Sequence, residues 1–251
     1  MGPTTIQLCG RYAVELDGER VESRLPGRQG RLLLAYLVLR RDRPASRSEL
    51  VDAVWQGDLP GDPADALAAL LSKLRTIVGS ERLSGRGELV LSLPAGARVD
   101  VEQAVAAAHE AESACALGEW GRAWGASLSG LLISRRPLLA ELETGWIDDW
   151  RRTLDDVMLR SLDTYANACL GIGGTEAAGA ERAARELVRR APLRESASVL
   201  LMRALAERGD VAEALLVYEG LRQRLREELG TAPSAPAQAA HRRLLDLAGH
   251  G

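Results

Sequence analysis

The chain has 251 residues, room for one large domain or two of ordinary size, and its 46% hydrophobic content can bury a core in either case. With no Phe and only 4% aromatic residues, those cores must be built from Leu, Val and Ala, which argues against a sandwich and for packed helices. Cys9, Cys115 and Cys169 have no zinc, redox or disulfide spacing, Met1 to Thr5 has no leader pattern, and the longest apolar run, Leu32 to Leu39, is too short for a bilayer; a cytoplasmic protein without cofactor, metal or membrane anchor is expected.

Residues Ile6 to Val21 alternate around Asp17-Gly18, a pair that supplies the positive φ angles of a tight hairpin, and predict two short strands. Arg28 to Arg41 is a Leu-rich stretch stopped by Asp42 and Pro44, a first helix buried around most of its circumference. Ser46-Arg47-Ser48-Glu49 has the Ser/Glu spacing of a capping box, so a short second helix follows through Leu50, Val51, Val54 and Trp55. Gln56 to Asp62 is a loop, and Pro63 opens a third helix that ends at Gly79. Between Arg82 and Val99, β-prone pieces around Leu83 and over Leu89 to Leu93 flank Gly85-Arg86-Gly87, a hairpin with a basic tip.

Beyond Asp100 the pattern is wholly helical, with stretches at 102–117, 119–128, 140–170, 176–190, 194–208, 211–229 and 237–247. Gly174 and Gly209 each precede a helix and stand 35 residues apart, close to the period of tetratricopeptide helix pairs. Ala180, Ala184, Leu187 and Pro192 fit the second helix of one such unit, and Ala214 and Tyr218 fit the next. The expected fold is mainly α with a small β component, divided into residues 1–99 and a helical-repeat domain over 100–251.

Charge is unevenly spread. The first 99 residues hold 14 basic and 12 acidic side chains and the remainder 18 and 23. Between Arg24 and Arg47, seven arginines (Arg24, Arg28, Arg31, Arg40, Arg41, Arg43, Arg47) meet one acid, Asp42, a stripe suited to phosphates or to an acidic protein partner. At 100° per residue the third helix gathers Leu67, Leu70, Leu71, Leu74, Ile77 and Val78 on one side; Asp65, Ala68, Ala69, Ser72 and Thr76 centre the other, flanked by Lys73 and Arg75. Small side chains bordered by cations suit a deep approach to the major groove, whereas an isolated helix of this kind would more simply face water. A capped helix before it and a hairpin after it make the order that of a winged helix-turn-helix.

Gly27-Arg28-Gln29, Ser46-Arg47, Leu50-Val51-Asp52-Ala53-Val54-Trp55 and Ala66-Leu67 leading to Leu71-Ser72-Lys73-Leu74-Arg75 resemble the Streptomyces antibiotic regulatory protein family, which joins an OmpR/PhoB-type winged helix to a bacterial transcriptional activator domain. Trp146 to Arg151, Ala191 to Glu195, Gly209 to Leu215 and Glu228-Leu229-Gly230 extend the resemblance over nearly the whole chain. It implies a transcription activator for an antibiotic gene cluster that binds tandem direct repeats of promoter double-stranded DNA as a homodimer and recruits RNA polymerase holoenzyme through its sigma factor. Carried over position by position, Ser72, Lys73, Arg75 and Thr76 face the groove, Arg47 and Arg28 meet phosphates, Arg86 makes the wing contact, and Gln56 to Asp62 is the polymerase-facing loop. The chain departs from the family with Gly87-Glu88 where the wing usually has Gly-Tyr, and with Asp65 and Ala68 where the start of the recognition helix often has amide side chains; Asp65 reads as a solvated or capping acid ahead of an acceptor from a cytosine amine.

No enzyme site is expected. Gly171-Ile172-Gly173-Gly174 lacks the context of a dinucleotide fingerprint and reads as an inter-helix turn, Asp148-Asp149 and Asp155-Asp156 read as solvated helix faces, His109, His241 and His250 are isolated, and Trp120, Trp124, Trp146 and Trp150 read as core. The rival is a helical-repeat interaction adaptor whose winged helix binds DNA weakly or not at all.

Overall fold

Packing in the computed structural model, which describes residues 2–41 and 43–249, divides the chain into two units: Met1–Ala104 with Ile133–Leu154, and Val105–Leu132 with Asp155–Gly251. Asp42 and His250, read above as a helix stop and an isolated histidine, lie outside the described residues.

The first unit opens with β1 (Thr5–Gln7), β2 (Ala13–Leu16) and β3 (Glu19–Arg20). The turn at Asp17-Gly18 forms as expected, with φ of 52° and 88°, and joins β2 to β3. Three strands replace the expected two because Gly10, at φ 80°, bends the chain between β1 and β2. Val99 of β7 (Arg98–Val99) lies parallel to Ile6 of β1, giving a sheet of order β3-β2-β1-β7. After this ribbon come α1 (Gly27–Leu39), β4 (Ala45–Ser46), α2 (Arg47–Trp55) and α3 (Pro63–Val78), then β5 (Leu83–Ser84) and β6 (Glu88–Leu91). A second sheet, β4-β6-β5, is thus made of the wing hairpin and the two residues that lead into α2. Every residue of α1 from Leu32 to Leu39 is buried, as the Leu run predicts.

Later residues return to this unit. Leu138 bridges Cys9, the Leu139 amide donates to the Leu8 carbonyl (2.9 Å), and the Gly10 amide donates to the Pro137 carbonyl (2.8 Å). The buried Asp100 carboxylate accepts the amides of Leu8 (3.0 Å), Cys9 (2.8 Å) and Val101 (2.9 Å). Burial pushes its pKa up and these amide bonds pull against that rise. Trp146 meets Tyr36 edge to face at 5.2 Å and donates its indole N–H to the Ala53 carbonyl at 3.0 Å. The segment 133–154 therefore packs on the winged helix, a return that a linear division after residue 99 does not contain.

Helices α4 (Asp100–Ala116), α5 (Trp120–Ser134) and α6 (Gly145–Ile172) are each shared between the two units. The remainder of the second unit is α7 (Ala177–Arg190), α8 (Glu195–Glu207), α9 (Val211–Leu229) and α10 (Ala235–Ala248). Here α7 packs on α8, α8 on α9, and α10 on both α8 and α9, the stacked-pair arrangement that the 35-residue spacing predicts. Ala180, Ala184, Leu187, Ala214 and Tyr218 are all buried. The glycine run departs from expectation: α6 continues through Ile172, and Gly171 lies beneath the indole of Trp120, where a Cβ would collide with the ring. Only Gly173 and Gly174, both at positive φ, make the turn. Asp148, Asp149 and Asp156 pair with Arg151, Arg152 and Arg160 along α6, the solvated pattern expected of them.

Candidate nucleic-acid interface

The helix-turn-helix begins with a complete capping box. Ser46 Oγ accepts the Glu49 amide at 3.2 Å, and Glu49 Oε2 accepts the Ser46 amide at 3.4 Å. Glu49 also takes the Tyr36 hydroxyl on Oε1 at 2.6 Å and pairs with Arg40 at 3.0 Å, so the start of α2 is tied to α1. The Tyr36 bond, with Arg40 adding to it, holds the Glu49 carboxyl below its ordinary range; burial and that carboxylate raise Tyr36 to about 12. After α2, Gln56 enters the left-handed region (φ 45°) and Gly57 follows at φ 92°, turning the chain toward α3. Asp62 caps α3 by accepting the Asp65 amide at 3.0 Å, with Pro63 in its first turn. The cap is thus Asp62, and Asp65 is exposed in the first turn, where the helix dipole favours an acid.

The two faces of α3 separate as the 100° pattern requires. Leu67, Leu71, Leu74 and Val78 are at most 2% exposed, and Leu70 and Ile77 are half-buried at the margins. Asp65, Ala68, Ala69, Ser72, Lys73 and Thr76 are exposed. Thr76 turns its hydroxyl back onto the Ser72 carbonyl (3.1 Å), so that donor is committed to the helix's own backbone while the residue stays exposed beside Ser72 and Lys73. Sixteen residues make α3 about 24 Å long, and its small exposed side chains leave the backbone accessible to a groove about 12 Å wide.

The other candidate residues are placed less uniformly. Arg75 lies at the edge of the face with its guanidinium on the hairpin backbone: Nε donates to the Leu83 carbonyl (3.2 Å) and Nη2 to the Gly85 carbonyl (2.8 Å). Arg47, in the first turn of α2, donates from Nη1 to the Arg86 carbonyl at 3.1 Å. The Arg86 side chain is exposed at the tip. Arg28 is exposed in the first turn of α1, and its Nη2 donates to the Glu143 carbonyl at 3.3 Å. The structure therefore gathers Ser72, Lys73, Arg75, Thr76, Arg47 and Arg86 around α3 and the hairpin, while Arg28 bonds to the returning segment. Sequence reasoning misses Glu49 as a junction, Trp146 as a partner of α2, and the bonds from both arginines to the hairpin. Only the capping-box spacing hints at the first, and backbone acceptors leave no mark in sequence for the last.

Among the described residues, no group of His, Cys, Asp and Glu could hold a metal ion, and no helix is long and apolar enough to cross a membrane.

A family model described as the bacterial transcriptional activator domain matches residues 99–245. Regulatory protein AfsR of Streptomyces griseus is 34% identical over 218 residues, 86% of this chain and 22% of AfsR. Transcriptional regulatory protein EmbR of Mycobacterium tuberculosis is 26% identical over 246 residues, 95% of this chain and 62% of EmbR. The solved structure of Mycobacterium tuberculosis EmbR in complex with a low affinity phosphopeptide superposes with a TM-score of 0.84 at 23% identity, covering 98% of this chain and 66% of that one. The chain thus spans under a quarter of AfsR and under two thirds of EmbR, proteins named as regulators and not as enzymes. The shared fold is a winged helix joined to a helical activator domain.

Proposed function

The chain belongs to the bacterial transcriptional activator domain family, and from that membership we propose that it is a sequence-specific DNA-binding transcription activator whose recognition element is α3. The observation that carries this reading is the exposed stripe of α3, small side chains around Lys73, the only lysine in the chain, beside a hairpin with Arg86 at its tip. In the major groove, Ser72, Lys73 and Thr76 would meet base edges and the Thr76 methyl group a thymine methyl; Arg86 would meet phosphate, with Arg28 a further phosphate contact outside this cluster. The finer reading follows the family resemblance: a homodimer on tandem direct repeats at the promoters of a secondary-metabolite cluster, recruiting RNA polymerase through its sigma factor, with Gln56 to Asp62 as the loop that faces it. In sequence, residues 1–99 are proposed as the DNA-binding domain and 100–251 as the activator domain, although 133–154 of the latter pack with the former.

Glu88 on the wing, and two arginines committed to the protein's own backbone, favour the rival reading of an interaction adaptor with weak DNA binding. Fluorescence anisotropy of the protein on duplexes from promoters beside its own gene, titrated with salt, separates the two. An activator shows log affinity falling steeply with log salt, by about 0.9 per phosphate contact, and a loss on Lys73→Ala worth about 1–3 kcal/mol if Lys73 meets a base. An adaptor shows no saturable binding even at low salt, and no response to that substitution.

A further inference from the structure

We propose that Arg47 and Arg75 are positioning residues that hold the wing in place for DNA, acting through the hairpin instead of touching nucleic acid themselves. The inference rests on the DNA-binding reading and changes the role of two of its arginines.

The hairpin needs outside support. β5 has two residues and β6 four, and the pairing of β6 with the two-residue β4 stops at Glu88, so the ladders leave Gly85 to Gly87 at the tip without strand partners. Leu83, Leu89 and Leu91 anchor its base in the core, but Ser84 to Glu88 are all exposed, so no apolar packing holds the tip. The backbone there is constrained by Gly85, at φ 93°, where a Cβ would collide with the Glu88 carbonyl.

Three hairpin carbonyls, those of Leu83, Gly85 and Arg86, are instead taken by two guanidinium groups from two helices. Arg75 of α3 forks across Leu83 and Gly85, and Arg47 of α2 takes Arg86. A planar group with donors at fixed angles can bridge two carbonyls two residues apart, which a lysine ammonium does with poorer geometry. Holding the Arg86 carbonyl also fixes the backbone from which the Arg86 side chain projects.

The position of Arg47 supports the same role. It stands in the first turn of α2, where the helix dipole disfavours a cation, so local helix energetics do not account for an arginine there. Its bond to the Arg86 carbonyl is a non-local interaction that does. Because α2, α3 and the hairpin are joined by these two side chains, the tip is placed relative to the recognition helix, which the buried base alone does not do for its exposed residues.

Two measurements on the whole chain test the proposal. In the free protein, amide hydrogen exchange of the wing, read at Ser84, Leu89 and Val90, is expected to quicken at least tenfold in Arg75→Ala and Arg47→Ala. Arg75→Lys should recover part of the protection, and Lys73→Ala should leave it unchanged. On DNA, Arg75→Ala and Arg86→Ala should each weaken binding several-fold, and the double variant should bind no more weakly than Arg86→Ala alone, with the same salt slope. Unchanged wing exchange in both arginine variants overturns the proposal. So do losses that multiply in the double variant with a further drop of about 0.9 in the salt slope, the signature of a direct phosphate contact. A wild-type protein that binds no duplex would end the DNA-binding reading, while the exchange measurement would still decide whether the arginines hold the wing.

Discussion

Replacing Glu49 with Gln tests how the helix-turn-helix is held to α1. The carboxylate closes the capping box on Ser46, accepts the Tyr36 hydroxyl at 2.6 Å and pairs with Arg40 at 3.0 Å. A capping box contributes about 0.5–2 kcal/mol, a hydrogen bond to a charged acceptor about 1.5–3 kcal/mol, and an ion pair whose partners are each about one-third exposed about 0–1 kcal/mol. Gln keeps the shape and one carbonyl acceptor, so the expected loss at pH 7 is about 1–2 kcal/mol, a fall in Tm of about 2–8 °C for a chain this size. The pH dependence has a definite sign. Because the folded carboxyl titrates below its ordinary value of 4.5, its contribution is complete above that pH and is lost as pH falls through the lowered value. Thermal and urea melts of wild type and Glu49→Gln between pH 7 and pH 3 check this, with Tyr36→Phe and the double variant completing a cycle. A difference under about 0.3 kcal/mol at pH 7, or one that widens toward pH 3, would rule out this role for the Glu49 carboxylate.

Four other outcomes follow from the packing of the two units. Leu71→Ala, on the buried side of α3 at 1% exposure, should destabilise the first unit by about 2–5 kcal/mol in urea melts. Gly171→Ala should lower stability although Ala is the better helix former by about 0.5–1 kcal/mol, because the new methyl would enter the Trp120 ring; a rise in Tm would show that the indole does not lie there. Asp100→Ala strands the buried amides of Leu8 and Cys9 and should cost about 2–5 kcal/mol by denaturant titration. Gly85→Ala should weaken duplex binding in anisotropy assays while leaving most of the fold intact, since only the exposed tip must rearrange.

Local rules carried well wherever the cause was local. The Leu run of α1, the capping box at Ser46 and Glu49, the Asp17-Gly18 turn and the two faces of α3 are written in spacing, and each formed where the spacing put it. Gly174 and Gly209 marked the helix pairs because the positive φ of each, 58° and 83°, sits at the turn before a helix. What failed was non-local. β4 is two residues that become a strand only because β6 lies beside them. The return of 133–154 onto the winged helix depends on Trp146 meeting Tyr36 and Ala53 from more than ninety positions away, which no periodicity records. α6 runs through Gly171 because an indole covers that glycine, so a residue that reads as a breaker serves instead as a packing surface. At the interface the exposed residues were legible by elimination from the buried stripe, whereas the bonds of Arg47 and Arg75 depend on carbonyls whose direction only the folded hairpin sets.

If α3 is the recognition helix, its exposed side lies against base edges on promoter DNA. A photoreactive residue at Ala69, in the middle of that side, bound to promoter duplex from beside the protein's own gene and irradiated, tests it most directly. Crosslinks to bases within each half of a direct repeat, lost when unlabelled duplex competes, are the expected result; a probe at Ala69 that crosslinks to protein alone, while probes at exposed sites elsewhere on the chain reach DNA, would rule out α3 as the reading helix.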